Sequence, residues 1–425
     1  MHINPQRAEK KMSLGRTILR QWRRFALAFA AVASIGYCGA AASDEPYHIG
    51  VWYFTRWSSS NNDPPARRSL AFYGRMDAWA GIRDNAEGHG KFAINDDQGK
   101  PVDYSYREPL IGYYDEMSQE VVDKEILMAA SEGIEFFAFY WYLDPQTGEE
   151  LTISKPLANF FNSKVRGKVK YVLSPLISEN SSAPLTLDIW TRKVVPKLIA
   201  YAANDAYYKI DGRPVIIDFS NQFTPAKDRA TAYAVLRSAM QSQLHVNPFL
   251  VTLQADTADY PAYMWVKQAM KADAVTCFQF PPKKPNESYA DDMSNWVAEM
   301  LKPLTAPDGS LDRSMFFFPC GSNGMDNRPW LAAESEEALQ KLPYTAGVTP
   351  EAFRTHLQSL KALMDKYPGW TRKTAVIYAW NEWGEAARDI EPSRTLGYSY
   401  ADVLREVFGL TPEAERPAAA PSAQH

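Results

Sequence analysis

Eight short apolar runs recur along this chain, each continuous rather than alternating, with helical patterning between them. They are "YHIGVWYF" (47–54), "IEFFAFYWY" (134–142), "VKYVLSPL" (169–176), "RPVIIDFS" (213–220), "PFLVTLQA" (248–255), "AVTCFQF" (274–280), "MFFFPC" (315–320) and "TAVIYAW" (374–380). A strand with one wet face alternates apolar and polar residues. A strand covered on both faces reads as an unbroken apolar run, as in parallel sheets. Strands alternating with helices close into a barrel or lie in an open, doubly wound sheet. Eight such units predict an α/β fold, the (β/α)8 or TIM barrel. The open sheet is the alternative. No run is followed by GxGxxG or GxxxxGK[ST], which weakens its nucleotide-binding version.

The intervening segments carry helix signals. "SQEVVDKEILMAASEG" spaces Val121, Val122, Ile126 and Ala129 as one helical face and stops on Gly133. "LDIWTRKVVPKLIAYAAN" is helical in pattern but holds Pro196. Thr349-Pro350-Glu351 reads as an N-cap with Pro at the first helical position. The stretch between runs one and two exceeds a single crossover. It predicts a long insertion over the C-terminal mouth, where barrel active sites are built.

In a barrel the polar and aromatic residues at the ends of the runs are the candidates for function. The first run offers Tyr53, then Thr55, Arg56 and Trp57. The second offers Tyr140, Trp141 and Asp144, and "ISENSS" after the third offers Glu179 and Asn180. Asp218 and Asn221 follow from the fourth, Gln254 and Asp256 from the fifth, Asp326 and Asn327 from "GSNGMDNRPW" after the seventh. "IGYYDEM" adds Tyr113, Tyr114 and Asp115, either a substrate edge or a turn entering a helix.

The last run delivers "AWNEWGEAARDIEP", with Asn381, Glu382, Trp383 and Glu385. Two carboxyls three residues apart on a tight loop can face one cavity. Glycosidic chemistry needs such a pair, one to protonate the leaving oxygen and one to handle the other proton or the anomeric carbon. Like charge and nearby indoles would hold one carboxyl protonated near neutral pH. The competing reading is a solvated Glu-rich loop, since this spacing is common on helix surfaces. Two tryptophans beside the pair weigh against it. Glu391 reads as an ordinary loop residue before Pro392.

Composition narrows the partners. Net charge is −4, so the basic footprint of a nucleic-acid binder is missing. Aromatic residues reach 13%, with 12 Trp and 23 Tyr, which suits flat sugar faces as well as cores.

Here the motifs meet a known family. "AWNEWGEAARDIEP" followed by "LGYSYADVLREV" resembles the C-terminal signature of the glycoside hydrolase family 99-like proteins, which include endo-α-1,2-mannosidases and the bacterial WbsX-like group. "GYYDEMSQEVVDKEILMAASEGIEFFAFYWY", "YYKIDGRPVIIDF" and "GMDNRP" are similar to further family blocks. The resemblance implies the same barrel and a carbohydrate substrate, with no metal or other cofactor. It also implies hydrolysis with retention through a 1,2-anhydro sugar, Glu382 as base toward the sugar 2-hydroxyl and Glu385 as general acid, then base. The family's Gly after the second Glu is Ala386 here, and the stretch to Glu391-Pro392 is one residue longer. A carbohydrate-binding protein without hydrolysis and a transferase are the rival expectations.

The ends differ from the middle. Arg20, Arg23 and Arg24 precede "FALAFAAVASIGYCGAAAS", the pattern of a secretory signal peptide spanning 1–42 with cleavage after Ala42. An uncleaved membrane anchor is the alternative. The expectation is a periplasmic or extracellular barrel domain over 43–412 with no membrane attachment after cleavage, and a disordered Pro/Ala tail over 413–425. Cys277 and Cys320 read as buried thiols, or as one disulfide in an oxidising compartment.

Overall fold

The computed structural model describes residues 45–58, 77–177, 184–219, 226–253, 259–331 and 335–417. The expected signal segment and the candidates Glu179, Asn180, Asn221, Gln254 and Asp256 lie outside them. Among the described residues no helix is long and apolar enough to cross a membrane.

The eight expected runs become the staves of a nearly closed parallel barrel. In chain order these are β1 (His48–Tyr53), β2 (Phe136–Leu143), β3 (Lys170–Ile177), β4 (Arg213–Asp218), β5 (Phe249–Leu253), β6 (Ala274–Thr276), β7 (Phe316–Phe318), β8 (Cys320–Ser322) and β9 (Thr374–Tyr378). Each pairs in parallel with the next stave, and β9 returns to β1 in the register His48↔Thr374 to Val51↔Ile377. β7 and β8 are halves of one stave, broken at Pro319. Proline has no N–H for a ladder. Its carbonyl still accepts Val376 N–H at 3.1 Å. The first half pairs with β6 and the second with β9. Between β3 and β4 the ladder is thin, and the Tyr207 hydroxyl bridges it, accepting Leu173 N–H at 3.2 Å and donating to Val215 O at 2.8 Å.

Strand alternation splits the core in two. The inner set fills the barrel: Trp52, Phe54, Ala138, Tyr140, Val172, Val215, Ile217, Val251, Val376 and Tyr378. The outer set, including Tyr53, Phe137, Trp141, Leu173 and Ile377, packs on the helices. Each fully buried side chain of this size contributes about 1.5–3 kcal/mol, so the pattern that made the runs continuous also holds the layers together.

α1 (Gln119–Ser131) follows the long insertion, α2 (Val195–Ala202) follows β3, α3 (Pro350–Lys366) precedes β9 and α4 (Ser399–Phe408) follows it. The expected Thr349 cap on α3 is present, its hydroxyl accepting Ala352 N–H at 3.2 Å, and Phe353, Leu357, Leu360 and Met364 form the buried face. Pro196 does not break its segment, because a π-helical turn over Trp190–Val194 precedes it and leaves Pro196 in the first turn of α2.

Two expectations change. Cys277 and Cys320 are joined as a disulfide, tying the exit of β6 to β8 beside the break at Pro319. The domain also runs past residue 412. Glu413 N–H bonds Ala130 O at 2.8 Å and Arg416 pairs with Glu132 at 2.8 Å, so the C-terminal segment packs on the end of α1. Gly133 permits that contact, since a Cβ there would stand 2.8 Å from Leu410 and Thr411.

Candidate active site

The chain leaves β9 as a compact loop over residues 379–393, held from both ends. Trp380 N–H bonds Trp52 O at 2.7 Å, and Glu391 N–H returns to Trp380 O at 2.8 Å. Asn381 ties the loop to the exit of β1. Its Oδ1 accepts Phe54 N–H at 2.8 Å, and its Nδ2 donates to Phe54 O and to Glu116 Oε1, both at 2.9 Å. Trp57 Nε1 donates to Asn381 O at 2.6 Å. The long insertion adds a second clamp. Arg107, fully buried, donates to Trp383 O and Asp326 O and so joins the loops after β8 and β9.

Held this way, Glu382 is 3% exposed and faces the barrel interior beside Tyr140, while Glu385 is half-buried. Burial and then the Glu385 charge push the Glu382 carboxyl well above the usual carboxylate range, with Tyr140 and Arg56 pulling the other way. Tyr378 donates to Glu385 Oε2 at 3.3 Å. Burial and the two carboxylates raise the Tyr378 and Tyr140 hydroxyls, so both keep their protons. Asp389 is buried, its carboxyl faces Glu382 N–H, and burial raises it as well.

Aromatic walls surround the pair. Trp52 stacks on Tyr140 at 5.3 Å, Phe278 sets its edge on Tyr378 at 4.9 Å, and Arg56 lies 4.4 Å over the Tyr142 ring. Trp52 Nε1, Ser174 Oγ and both amide atoms of Asn323 are buried without hydrogen-bond partners. Trp330 packs flat on the loop, and a Cβ at Gly384 would stand 2.6 Å from its ring.

The remaining sequence candidates divide. Tyr140 faces the barrel interior with Glu382, and Asn381 anchors the loop to the exit of β1. Tyr53 and Trp141 turn the other way, corrected by strand alternation: each sits one position from an inward residue. Tyr53 donates to Glu125 of α1, and Trp141 packs against Tyr201. Trp383 is no open platform, being 1% exposed with Nε1 donating to Glu391 at 2.7 Å. Glu391, read as an ordinary loop residue, is buried and also accepts from Tyr114 OH at 2.7 Å. Asp326 pairs with Arg328 at 2.8 Å and accepts from Tyr104, which makes it a loop brace, and Asn327 caps the turn to Trp330 through its carbonyl. Tyr113 is half-buried against Trp79. Asp115 accepts Met117 N–H at 2.9 Å in the turn before α1, while its neighbour Glu116 reaches the loop.

Sequence reasoning missed Glu116, Arg107, Trp52 and Trp330, whose importance lies in contacts distant in sequence. Asp389 and Glu391 stood in the quoted motif, and only their burial marks them. Among the described residues no group of three or more His, Cys, Asp or Glu is arranged to hold a metal ion.

The fold is that of solved glycosidases. A GH99 endo-α-mannosidase from Bacteroides thetaiotaomicron, in complex with bis-tris propane, superposes with a TM-score of 0.53 at 13% identity, covering 85% of this chain and 96% of that one. A structure described as a glycoside hydrolase-like protein gives 0.53 at 16% identity, covering 86% and 94%. A second structure of the Bacteroides enzyme gives 0.51 at 12% identity, covering 85% and 96%. At these identities the likeness establishes the fold. No curated protein matches by sequence. Residues 189–404, just over half of the chain and including the Glu382/Glu385 loop, match the family profile described as Glycosyltransferase WbsX, and the chain belongs to that family.

Proposed function

We propose that this protein is a glycoside hydrolase that cleaves a glycosidic bond in a polysaccharide or glycan, with Glu382 and Glu385 as its reacting pair. The observation that carries this reading is the placement of two carboxyls on the rigid loop after the last barrel strand. One is buried among aromatic rings, the other is half-open to solvent and held by Tyr378. A base that removes a proton from a sugar hydroxyl gains from a raised affinity for that proton, and Glu382 has it. Glu385, with solvent on one side, is suited to protonate a leaving oxygen and then to activate water. The route through a 1,2-anhydro sugar needs no carboxylate nucleophile, in contrast to the usual retaining geometry. The α-mannosidase activity named for the Bacteroides structure makes an α-mannoside the first substrate to try.

The N-terminal pattern and the Cys277–Cys320 disulfide together support an extracytoplasmic site of action, where such bonds persist.

The test is a panel of bacterial and plant polysaccharides and α-mannosides offered to the wild type, Glu382→Gln and Glu385→Gln. The wild type releases product with retained anomeric configuration, and each variant loses about a hundredfold or more. Full activity in both variants overturns the reading. Binding without product assigns a carbohydrate-binding role instead, and turnover that depends on an activated sugar donor assigns a transferase.

A further inference from the structure

On the helix side of the Glu382/Glu385 loop three more carboxyls meet. Glu125 comes from α1, Glu116 from the turn before α1, and Glu391 from the far end of the loop itself. Glu116 and Glu125 are fully buried and Glu391 is 1% exposed. Their charges act on one another across the cluster. The other titratable groups facing it are Tyr53 of β1, Tyr114 and Asp115 of the insertion, and Asp389 of the loop.

The three are not equivalent in their hydrogen bonds. Both oxygens of Glu116 accept N–H donors, from Trp57 N at 3.1 Å and Asn381 Nδ2 at 2.9 Å. Glu125 accepts from Tyr53 OH through Oε2, with the Trp380 indole N–H and the Tyr114 hydroxyl also turned toward its carboxyl, and Glu391 accepts from Tyr114 OH and Trp383 Nε1 through Oε2. Oε1 of Glu125 and Oε1 of Glu391 are buried with no hydrogen-bond partner. An ionised carboxylate only accepts, and leaving its lone pairs dry is costly. A protonated carboxyl avoids the cost of a buried charge, although its O–H is then a donor. Both oxygens of Glu116 are therefore satisfied, whereas Glu125 and Glu391 each keep one bare oxygen, which is cheaper to bury on a neutral carboxyl than on a carboxylate.

We propose that Glu116 is a positioning residue for the Glu382/Glu385 loop, acting through Asn381, and that Glu125 and Glu391 carry protons while it does so. The positioning of catalytic groups rests on the hydrolase reading; the locking of the loop and the placing of the protons do not. Burial raises all three carboxyls, Glu116 and Glu391 well above the usual carboxylate range and Glu125 to about 8, and the Trp57 N–H opposes the rise at Glu116 only in part. A carboxyl raised above its unfolded value stabilises the fold fully below the ordinary carboxylate range. That contribution is lost as pH climbs through the raised value. The loop thus loosens on the alkaline side, near pH 8.

Hydrogen exchange on the full chain, corrected for intrinsic pH dependence, tests this between about pH 6 and pH 9. In the wild type the peptides covering 379–391 lose about tenfold in protection over that range. Glu125→Gln, an amide in the shape of a protonated acid, flattens the loss. Glu116→Ala loses about tenfold in protection at 379–391 already at pH 6, while 213–218 across the barrel keeps wild-type protection. Should Glu116→Ala expose the whole barrel, Glu116→Gln decides. Its amide nitrogen meets a donor at Trp57 or Asn381, so it too frees 379–391 and spares 213–218. Protection that stays flat with pH in the wild type overturns the proposal. So does a Glu125→Gln curve parallel to wild type, or wild-type protection at 379–391 in both Glu116 variants. A wild type inactive on every glycan removes the hydrolase reading and leaves these exchange results standing.

Discussion

Asn381 completes the barrel's parallel pairing with its side chain, exchanging two hydrogen bonds with the backbone of Phe54 where β1 and β9 have already ended. The amide imitates one further ladder residue, and the next residue in the chain is Glu382. Replacing it by Ala strands Phe54 N–H, Phe54 O and one oxygen of Glu116 in a dry site, at about 1–3 kcal/mol for each group left unsatisfied. The expected result for Asn381→Ala is a folded protein with a lower melting temperature and kcat down about a hundredfold from a misplaced Glu382. Thermal denaturation and steady-state kinetics on the same preparation check both parts. A variant with wild-type kcat shows that the amide is not needed to place the acid.

Gly384 lies under the Trp330 ring, 2.6 Å from where a Cβ would stand. Gly384→Ala forces the indole or the loop to move, at about 1–3 kcal/mol. The double variant Gly384→Ala with Trp330→Leu makes room and recovers most of the stability. Melting temperatures of the two single variants and the double variant form the cycle, and simple additivity contradicts the contact.

The acid limb of the pH–rate profile follows from the pair's surroundings. Burial, Glu385 and Asp389 all raise Glu382, so a Glu382 acting as base is unprotonated only above the usual carboxylate range. Activity rises with pH through that displaced value. Asp389→Asn removes a carboxyl that, when ionised, holds the Glu382 value up, so the limb of kcat/KM against pH moves to lower pH. A limb that stays put or moves upward assigns it to another group.

The Cys277–Cys320 link closes a loop with a sequence separation of 43 residues at the broken stave. Cross-links of this span contribute roughly 2–4 kcal/mol, mostly by restricting the unfolded chain. Cys277→Ala with Cys320→Ala, or a reducing agent on the wild type, lowers the denaturation midpoint by a matching amount, and the double variant no longer responds to reductant. Equal midpoints with and without reductant contradict the bond.

How much was legible beforehand depends on the range of the interactions. The runs that became β1 to β9 are read locally, because burial on both faces makes each strand apolar throughout, and the nearly closed barrel follows from their alternation with helices. Thr349 and Gly133 were equally plain, since caps and left-handed stops are local. Glu382 and Glu385 stood out as a pair on one loop. What the local pattern could not supply was facing. Tyr53 and Trp141 differ from Trp52 and Tyr140 by one residue, and in a continuous apolar run nothing local says which of two neighbours points inward. Glu116 against Asp115 poses the same problem in a turn. The burial of Glu391 and Trp383, the joining of Cys277 to Cys320 and the clamp of Arg107 on two loops depend on residues far apart in sequence, brought together when the barrel closes. The chain by itself determined the staves, their order and the two acids. The tertiary structure alone decided which side chains lie beside those acids and which hold the loop from behind, because a strand's two faces become different places only when its neighbours cover them.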